Sequence, residues 1–288
     1  MTMFVLLILL LSAVMHGVWN LLVKKSRDKQ TFLWLALITI LFLFFVPFVL
    51  IMKPFPVVGW TFIIISGTVE AGYYLLLGKA YQNGALSLVY PIARGFAPLF
   101  VTLFAVLFVH EHISTLGYVG IFCIAGGIYT VNLESFTVRG FLAPFRAFAQ
   151  SAARLAVLTG LIIAVYSVLD KRGVAFVHPA TFIYLKCLVT TVVMAPFMFF
   201  RKRKQAAAEW NTNNRSIIAV AVLLMSAYLL VLFAMTGTNV SYVSSIREVS
   251  IVFSALLGTV LLKEPFVEKK IPGAVLIVAG IILIACGK

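Results

Sequence analysis

A succession of long, unbroken apolar runs constrains this chain more than any other feature. Ten stretches rich in Leu, Ile, Val, Phe and Ala lie at roughly 3–23, 31–52, 57–78, 84–108, 115–132, 153–170, 179–200, 216–236, 239–262 and 271–287. A helix rises about 1.5 Å per residue, so a hydrocarbon core of about 30 Å takes about 20 apolar residues. The runs have that length, and most links between them are too short for a folded domain. With 62% hydrophobic and only 11% charged residues, the chain holds more apolar surface than an aqueous core can hide, since soluble domains carry about 25% charged residues. Lipid suits that surface, and in lipid every backbone N–H and C=O must be paired within the structure. Helices meet that condition. A β-barrel would need alternating stretches of about ten residues, which these runs do not offer. The expected fold is an all-α integral membrane protein with ten transmembrane helices. The first run has no basic leader and extends to about Val23, too long for a signal-peptide core, so it reads as a retained helix.

The formal net charge of +14 does not point to nucleic acid, because the basic residues sit in short clusters between apolar runs. Lys24-Lys25-Ser26-Arg27 and Arg201-Lys202-Arg203-Lys204 are examples. Such clusters mark cytoplasmic membrane loops and meet anionic lipid headgroups. Odd-numbered loops hold 16 Lys and Arg and the opposite side holds 4, which by the positive-inside rule puts both termini outside the cytoplasm. Cys123, Cys187 and Cys286 are scattered through apolar runs with no CxxC spacing, so no disulfide framework or thiolate metal site is indicated.

An internal repeat divides the chain. Adding 153 places Gly84 on Gly237, Arg94 on Arg247, Glu111 on Glu264, Gly120 on Gly273 and Gly127 on Gly280. Nearer the start an offset of 147 places Trp19 on Tyr166 and Lys24 on Lys171. The expected organisation is a five-helix repeat over 1–135, a connecting segment at 136–152 carrying the aromatic and basic residues of an interfacial piece, and a second repeat over 153–288. Five is odd, so the second copy enters the membrane inverted, as in many secondary transporters.

The two Glu-x8-Gly-x6-Gly endings, Glu111/Gly120/Gly127 and Glu264/Gly273/Gly280, and the opening His16-Gly17-Val18-Trp19-Asn20 followed by Lys24 resemble the EamA-like branch of the drug/metabolite transporter superfamily. Length, helix number and the five-plus-five repeat resemble it too. The resemblance implies a secondary carrier or exporter of amino acids, sugars, nucleotide sugars, phosphorylated sugars or drugs, with its substrate site in a central cavity between the halves. It also implies cytoplasmic termini, the reverse of the charge count.

Charges within the runs are the candidate chemistry. A charge at the bilayer centre costs about 2.5–3.5 kcal/mol on insertion scales and normally faces a partner or a wet cavity. Arg94 and Arg247 are paired by the repeat. Facing one cavity, their planar forks would suit a carboxylate or phosphate; otherwise each locks the bundle through an acid or carbonyls. Glu70, with Tyr73 and Tyr74 on its helical face, is the first candidate for proton coupling if lone and buried, or else an ion-pair partner of Arg94 or Arg247. Glu248 points about 100° away from Arg247 and should pair with another helix. His16, a turn before Trp19 and Asn20, could shuttle protons or be a hydrogen-bonded packing residue. Lys186, about two turns into its helix, could snorkel towards the interface or contact substrate directly. Tyr90, Pro91 and Pro98 bracket Arg94, where proline removes backbone donors and kinks a helix, and Ser241, Ser244, Ser245 and Ser250 occupy the equivalent run. His110-Glu111-His112 resembles a metal cluster, but the repeat places Lys263-Glu264-Pro265 there, so no metal is expected. No P-loop or hydrolase spacing is present, so direct ATP driving and hydrolysis are not indicated.

The function expected is a secondary-active exporter or exchanger of a small polar metabolite bearing a carboxylate or phosphate, working by alternating access in the cell inner (plasma) membrane. Arg94, Arg247, Trp19, Tyr73, Tyr74, Tyr90, Tyr166 and Ser244 would bind substrate. Glu70 and His16 would carry a coupling proton where coupling exists. No cofactor, catalytic residue or nucleic-acid partner is expected, and a monomer or homodimer suffices. The alternatives are a carrier of cationic or neutral drug-like compounds or amines, held by Glu70 and aromatic rings, and a membrane-embedded lipid-handling enzyme.

Overall fold

A computed structural model of the chain describes residues 1–24, 26–83, 86–131, 133, 137, 151–253 and 271–287, with the side chains at 24, 78, 80–91 and 152 outside the described set. In order, the helices are α1 (Met3–Lys24), α2 (Lys29–Leu43), α3 (Phe45–Ile51), α4 (Val57–Asn83), α5 (Leu86–Phe104), a π-turn (Ala105–Val109), α6 (Thr115–Val131), α7 (Ser151–Gly173), α8 (Pro179–Arg201), α9 (Arg203–Gly237), α10 (Val240–Arg247) and α11 (Ile271–Cys286). No strand occurs among the described residues. Among the described residues, six helices are long and apolar enough to cross a membrane, and up to seven if the bent α2–α3 pair counts as one span. α6 and α11 are apolar but shorter, and the ninth expected run passes out of the described residues after Phe253. The connecting segment expected at 136–152 lies almost wholly outside them.

Local chemistry fixes where the helices start, bend and stop. Asp28 caps α2, its Oδ1 accepting from the Thr31 N–H and Oγ1 at 3.0 Å each, which satisfies an orphan donor of the first turn. α2 and α3 meet at 53°. Pro47 explains the bend, because it lacks the N–H that would continue the ladder and its ring crowds the carbonyl four residues back. The π-turn ends at His110, whose left-handed backbone (φ 59°, ψ 42°) turns the chain out of the helix. α9 is 35 residues long, and Asn213 breaks its regular geometry (φ −124°, ψ 17°).

Packing follows the small residues. α6 and α11 run antiparallel at backbone contact. A Cβ on Gly120 would stand 2.6 Å from the Gly280 carbonyl oxygen, and one on Gly127 would stand 2.7 Å from that of Gly273. Small residues at such seams let backbones approach where lipid provides no hydrophobic drive between helices. α4 and α5 both pack on α7, α1 packs on α9, and α2 lies between α8 and α9. Exposed Phe42, Leu50, Val57 and Phe200 lie outside this bundle, on surface suited to acyl chains.

Candidate functional site

Buried charge gathers where α1, α4, α5, α7, α8, α9 and α10 meet. On α5, Arg94 donates from Nη1 to Glu248 Oε1 at 2.9 Å, and its Nη2 lies 2.7 Å from His16 Nε2 on α1. The close approach of α5 and α7 is set by Gly160, where a Cβ would meet the Ala93 carbonyl oxygen at 2.8 Å. His16 stacks edge-on against Trp19 at 4.6 Å, and the Ser12 hydroxyl donates to the Ala227 carbonyl at 2.8 Å, which pins α1 to α9. α10 stops at Arg247. The next turn is tightened: the Glu248 N–H bonds to Ser245 O, and those of Ile251 and Val252 bond to Glu248 O and Val249 O, three residues back rather than four. The break in the helical ladder therefore falls beside Arg247 and Glu248, in the serine-bearing run. Sequence reasoning had placed it at the prolines around Arg94. Tyr90 and Pro91 lie outside the described side chains.

The two repeat-paired arginines are not equivalent. Arg94 is ion-paired. Arg247 is 5% exposed, makes no salt bridge among the described residues, and has a buried Nε without a hydrogen-bond partner. Its guanidinium carbon sits 5.6 Å from the centroid of the Tyr228 ring. Trp19 Nε1, Ser244 Oγ, Ser250 Oγ and Glu248 Oε2 are likewise buried without hydrogen-bond partners among the described residues. Ser244 and Arg247, three residues apart, share a helical face. Buried polar groups are normally satisfied, so this concentration of unpaired donors and acceptors is unusual.

A second cluster centres on Lys186 of α8. Its ammonium lies 2.6 Å from Asp170 Oδ2 and 3.4 Å from Glu70 Oε1, over the rings of Tyr166 at 4.7 Å and Tyr228 at 4.6 Å. Asp170 also accepts from the Ser66 and Tyr228 hydroxyls. Thr190 donates to Glu70 Oε2 at 3.3 Å and to the Gly67 carbonyl at 3.1 Å. Gly67 brings α4 within a Cβ's width of the Lys186 carbonyl oxygen, 3.0 Å. Tyr73 packs edge-on against Tyr166 at 5.9 Å and Tyr74 at 5.1 Å. Tyr166 lies within electrostatic reach of Arg247, Glu70, Lys186 and Arg94, so the two clusters adjoin.

Several expectations are corrected by this arrangement. Glu70 is not a lone carboxylate and does not pair with an arginine; it shares Lys186 with Asp170. Lys186 does not snorkel; at 1% exposure it is neutralised where it stands. Arg94 is held by Glu248 and His16 rather than left open for an anion. Glu248 does pair with another helix, as its 100° offset from Arg247 required. Asp170 and Tyr228 were missed. Asp170 sits in an Asp-Lys-Arg run that reads as a loop edge, and Tyr228 carries no motif. Their only signal is helical position: Asp170 falls one helical turn after Tyr166.

At one end of the bundle a third group of contacts joins distant parts of the chain. Glu111 accepts from the Val240 N–H at 2.6 Å, the Ser241 N–H at 3.2 Å and the Ser241 hydroxyl at 2.7 Å. It thus caps the start of α10. Asn239 Nδ2 donates to the His112 carbonyl at 3.0 Å, Arg172 to the Phe108 carbonyl at 2.6 Å, and the Ser114 N–H to the Tyr242 hydroxyl at 3.2 Å. Lys171 caps the end of α9 through the Met235 and Thr238 carbonyls at 2.6 and 3.0 Å.

The fold has solved counterparts. A chain described only as the crystal structure of a protein is similar over 97% of this chain and 94% of its own, with a TM-score of 0.73 at 14% identity, a likeness of fold alone. No curated protein matches the sequence. The family model of EamA-like transporters matches twice, over residues 3–133 and 150–286. Nearly the whole chain is thereby covered, and the apolar helices and buried charges are those of a multi-pass membrane protein: the chain belongs to the EamA-like transporter family, of the drug/metabolite transporter type.

Proposed function

We propose that the protein is a secondary-active transporter, exporter or exchanger, of a small polar metabolite bearing a carboxylate or phosphate, working by alternating access in the cell inner (plasma) membrane. The observation that carries this reading is the buried Arg247, which makes no salt bridge among the described residues and whose Nε lacks a hydrogen-bond partner there. A buried guanidinium with open hydrogen-bond donors is costly, and an incoming oxyanion would satisfy them bidentately. Trp19 Nε1 and Ser244 Oγ supply further donors, and Tyr73, Tyr166 and Tyr228 form the aromatic wall. Arg94 holds Glu248 and His16 in place, so the two arginines have separate tasks. Tyr74 packs behind Tyr73 and shapes the wall from the second row. Glu70, the more loosely held carboxylate of the Lys186 cluster, carries the coupling proton, with His16 as its relay towards α1.

The architecture proposed with it is ten spans in two inverted five-helix repeats, 1–135 and 153–288, joined by 136–152. Two separate family matches, each covering about half the chain, support the duplication. So do the seam glycines. A shift of 153 residues carries Gly120 to Gly273 and Gly127 to Gly280, and thereby exchanges the Gly120–Gly280 contact with the Gly127–Gly273 contact. That exchange is what a two-fold axis between the halves requires.

A carrier of amines or cationic compounds is the second reading. The Arg94–Glu248 ion pair and the carboxylates among tyrosine rings favour it. Thermal stabilisation of the purified protein across organic acids, sugar phosphates, amino acids and amines separates the two, since a ligand of the folded state raises apparent stability with its concentration over Kd. Anions are expected to stabilise wild type and to lose the effect in Arg247→Ala. Stabilisation by amines alone, lost in Glu70→Gln, would reverse the sign of the substrate.

A further inference from the structure

We infer that Lys186 is the tethered occupant of a cation site, a cage for a primary ammonium that the protein fills with its own side chain. The cage offers three acceptors, namely Asp170 Oδ2 at 2.6 Å, Glu70 Oε1 at 3.4 Å and the Tyr228 hydroxyl oxygen at 3.4 Å. An ammonium has three N–H donors and no acceptor, so one set matches the other. The Tyr228 hydroxyl donates its proton to Asp170, which leaves its lone pairs for the ammonium. Two ring faces, Tyr166 at 4.7 Å and Tyr228 at 4.6 Å, add attraction for a positive charge. Ser66 and Thr190 hold the carboxylates from behind.

The surroundings are formed without help from the lysine stem. Asp170 is anchored by the Ser66 and Tyr228 hydroxyls, and Glu70 by Thr190. Removing Lys186 therefore leaves two buried carboxylates around a vacancy of one ammonium. Two carboxylates in a low-dielectric bundle without an ammonium between them must be compensated by a cation or a proton, and a primary ammonium restores the hydrogen bonds that a proton does not. The Glu70 side chain is 13% exposed while Lys186 and Asp170 are 1% and 0%, so a small amine enters past Glu70. The ligand class is a small primary ammonium, with alkali ions weaker because they gain no directed hydrogen bonds. This inference rests on the anion reading of the central site, since an amine held there by Glu70 would raise wild type as well as the variant.

Chemical rescue tests it. Lys186→Ala removes three methylenes and the ammonium, the outline of n-propylammonium. The purified variant is expected to melt on the order of 10 °C below wild type. n-Propylammonium chloride should recover most of that loss, leave wild type unmoved, and outperform both sodium chloride and n-propanol. Equal recovery by sodium chloride overturns the ammonium assignment. No recovery, or an equal rise in wild type, overturns the site. If Lys186→Ala yields no folded protein, the Asp170→Asn/Lys186→Ala pair decides. With its principal carboxylate neutralised the empty cage no longer demands a cation, so the double variant should fold and ignore the amine. Failure of the double variant to fold would make Lys186 a packing residue and overturn the inference.

Discussion

Arg94 and Glu248 show how much depends on one partner. Both are buried, 2.9 Å apart, on helices distant in sequence. Breaking a buried pair from one side leaves a charge uncompensated, at a cost of about 3–5 kcal/mol, whereas apolar replacement of both partners is often neutral. Glu248→Gln should therefore lower the melting temperature sharply, and Arg94→Met/Glu248→Leu should regain much of it. Differential scanning fluorimetry of the three proteins reads this directly. Asp28 behaves differently because it lies between α1 and α2 at the bundle's edge. Burial alone would raise its carboxyl, but the bonds from Lys202 and from Thr31 outweigh that and hold it below the usual aspartate range. The folded value lies below the unfolded one, so the ionised side chain stabilises at neutral pH. That contribution fades from about pH 4, where the unfolded aspartate takes its proton, down to the lower pH where the folded one does. Wild type should melt above Asp28→Asn at pH 7, and the two should converge in that acid window. The residue scale was also where the sequence was least legible. Charges announced themselves, and Glu248's need for another helix followed from helical geometry. Which acid met which base depended on side chains converging from seven helices, and no spacing within one helix encodes that.

Helices were legible to the extent that hydrophobicity alone specifies them. Within the described residues the apolar runs became helices, and the glycines of α6 and α11 serve the seam between them. Gly127 and its neighbour Gly126 test this. A Cβ on Gly127 meets the Gly273 carbonyl at 2.7 Å, whereas one on Gly126 meets only a Leu276 methyl at 3.4 Å. Gly127→Ala should cost about 1–3 kcal/mol through overpacking, and Gly126→Ala much less, as read from melting temperatures in one detergent. The α10 break was not legible, since no proline or glycine marks it. The ladder tightens where two buried charges, Arg247 and Glu248, must point to different partners.

At the scale of the whole molecule, the Glu111 contacts and their neighbours tie the proposed halves together at one end. A carrier that opens alternately to two sides must release that closure in each cycle. In a background lacking the native cysteines, Glu111→Ala should raise the rate at which Ser244→Cys reacts with a membrane-impermeant maleimide supplied from the side of the 110–114 turn. An unchanged rate would show that closure lies elsewhere. The duplication was legible because glycines and charges recur in register. The difference in partners between Arg94 and Arg247 was not, because a repeat matches positions and is silent about partners.

The long α9 has a further consequence. Beyond its break at Asn213, residues 214–237 span about 36 Å as a helix, a little more than the hydrocarbon of an average bilayer. Before the break stand Arg201, Lys202, Arg203 and Lys204, followed by a half-exposed Trp210, the residue types that settle at headgroups. Such a helix works as a depth gauge. It fixes how far the protein rides in the bilayer, so a membrane thinner or thicker than this length must deform around the protein or tilt it, and membranes of matching thickness will hold it best.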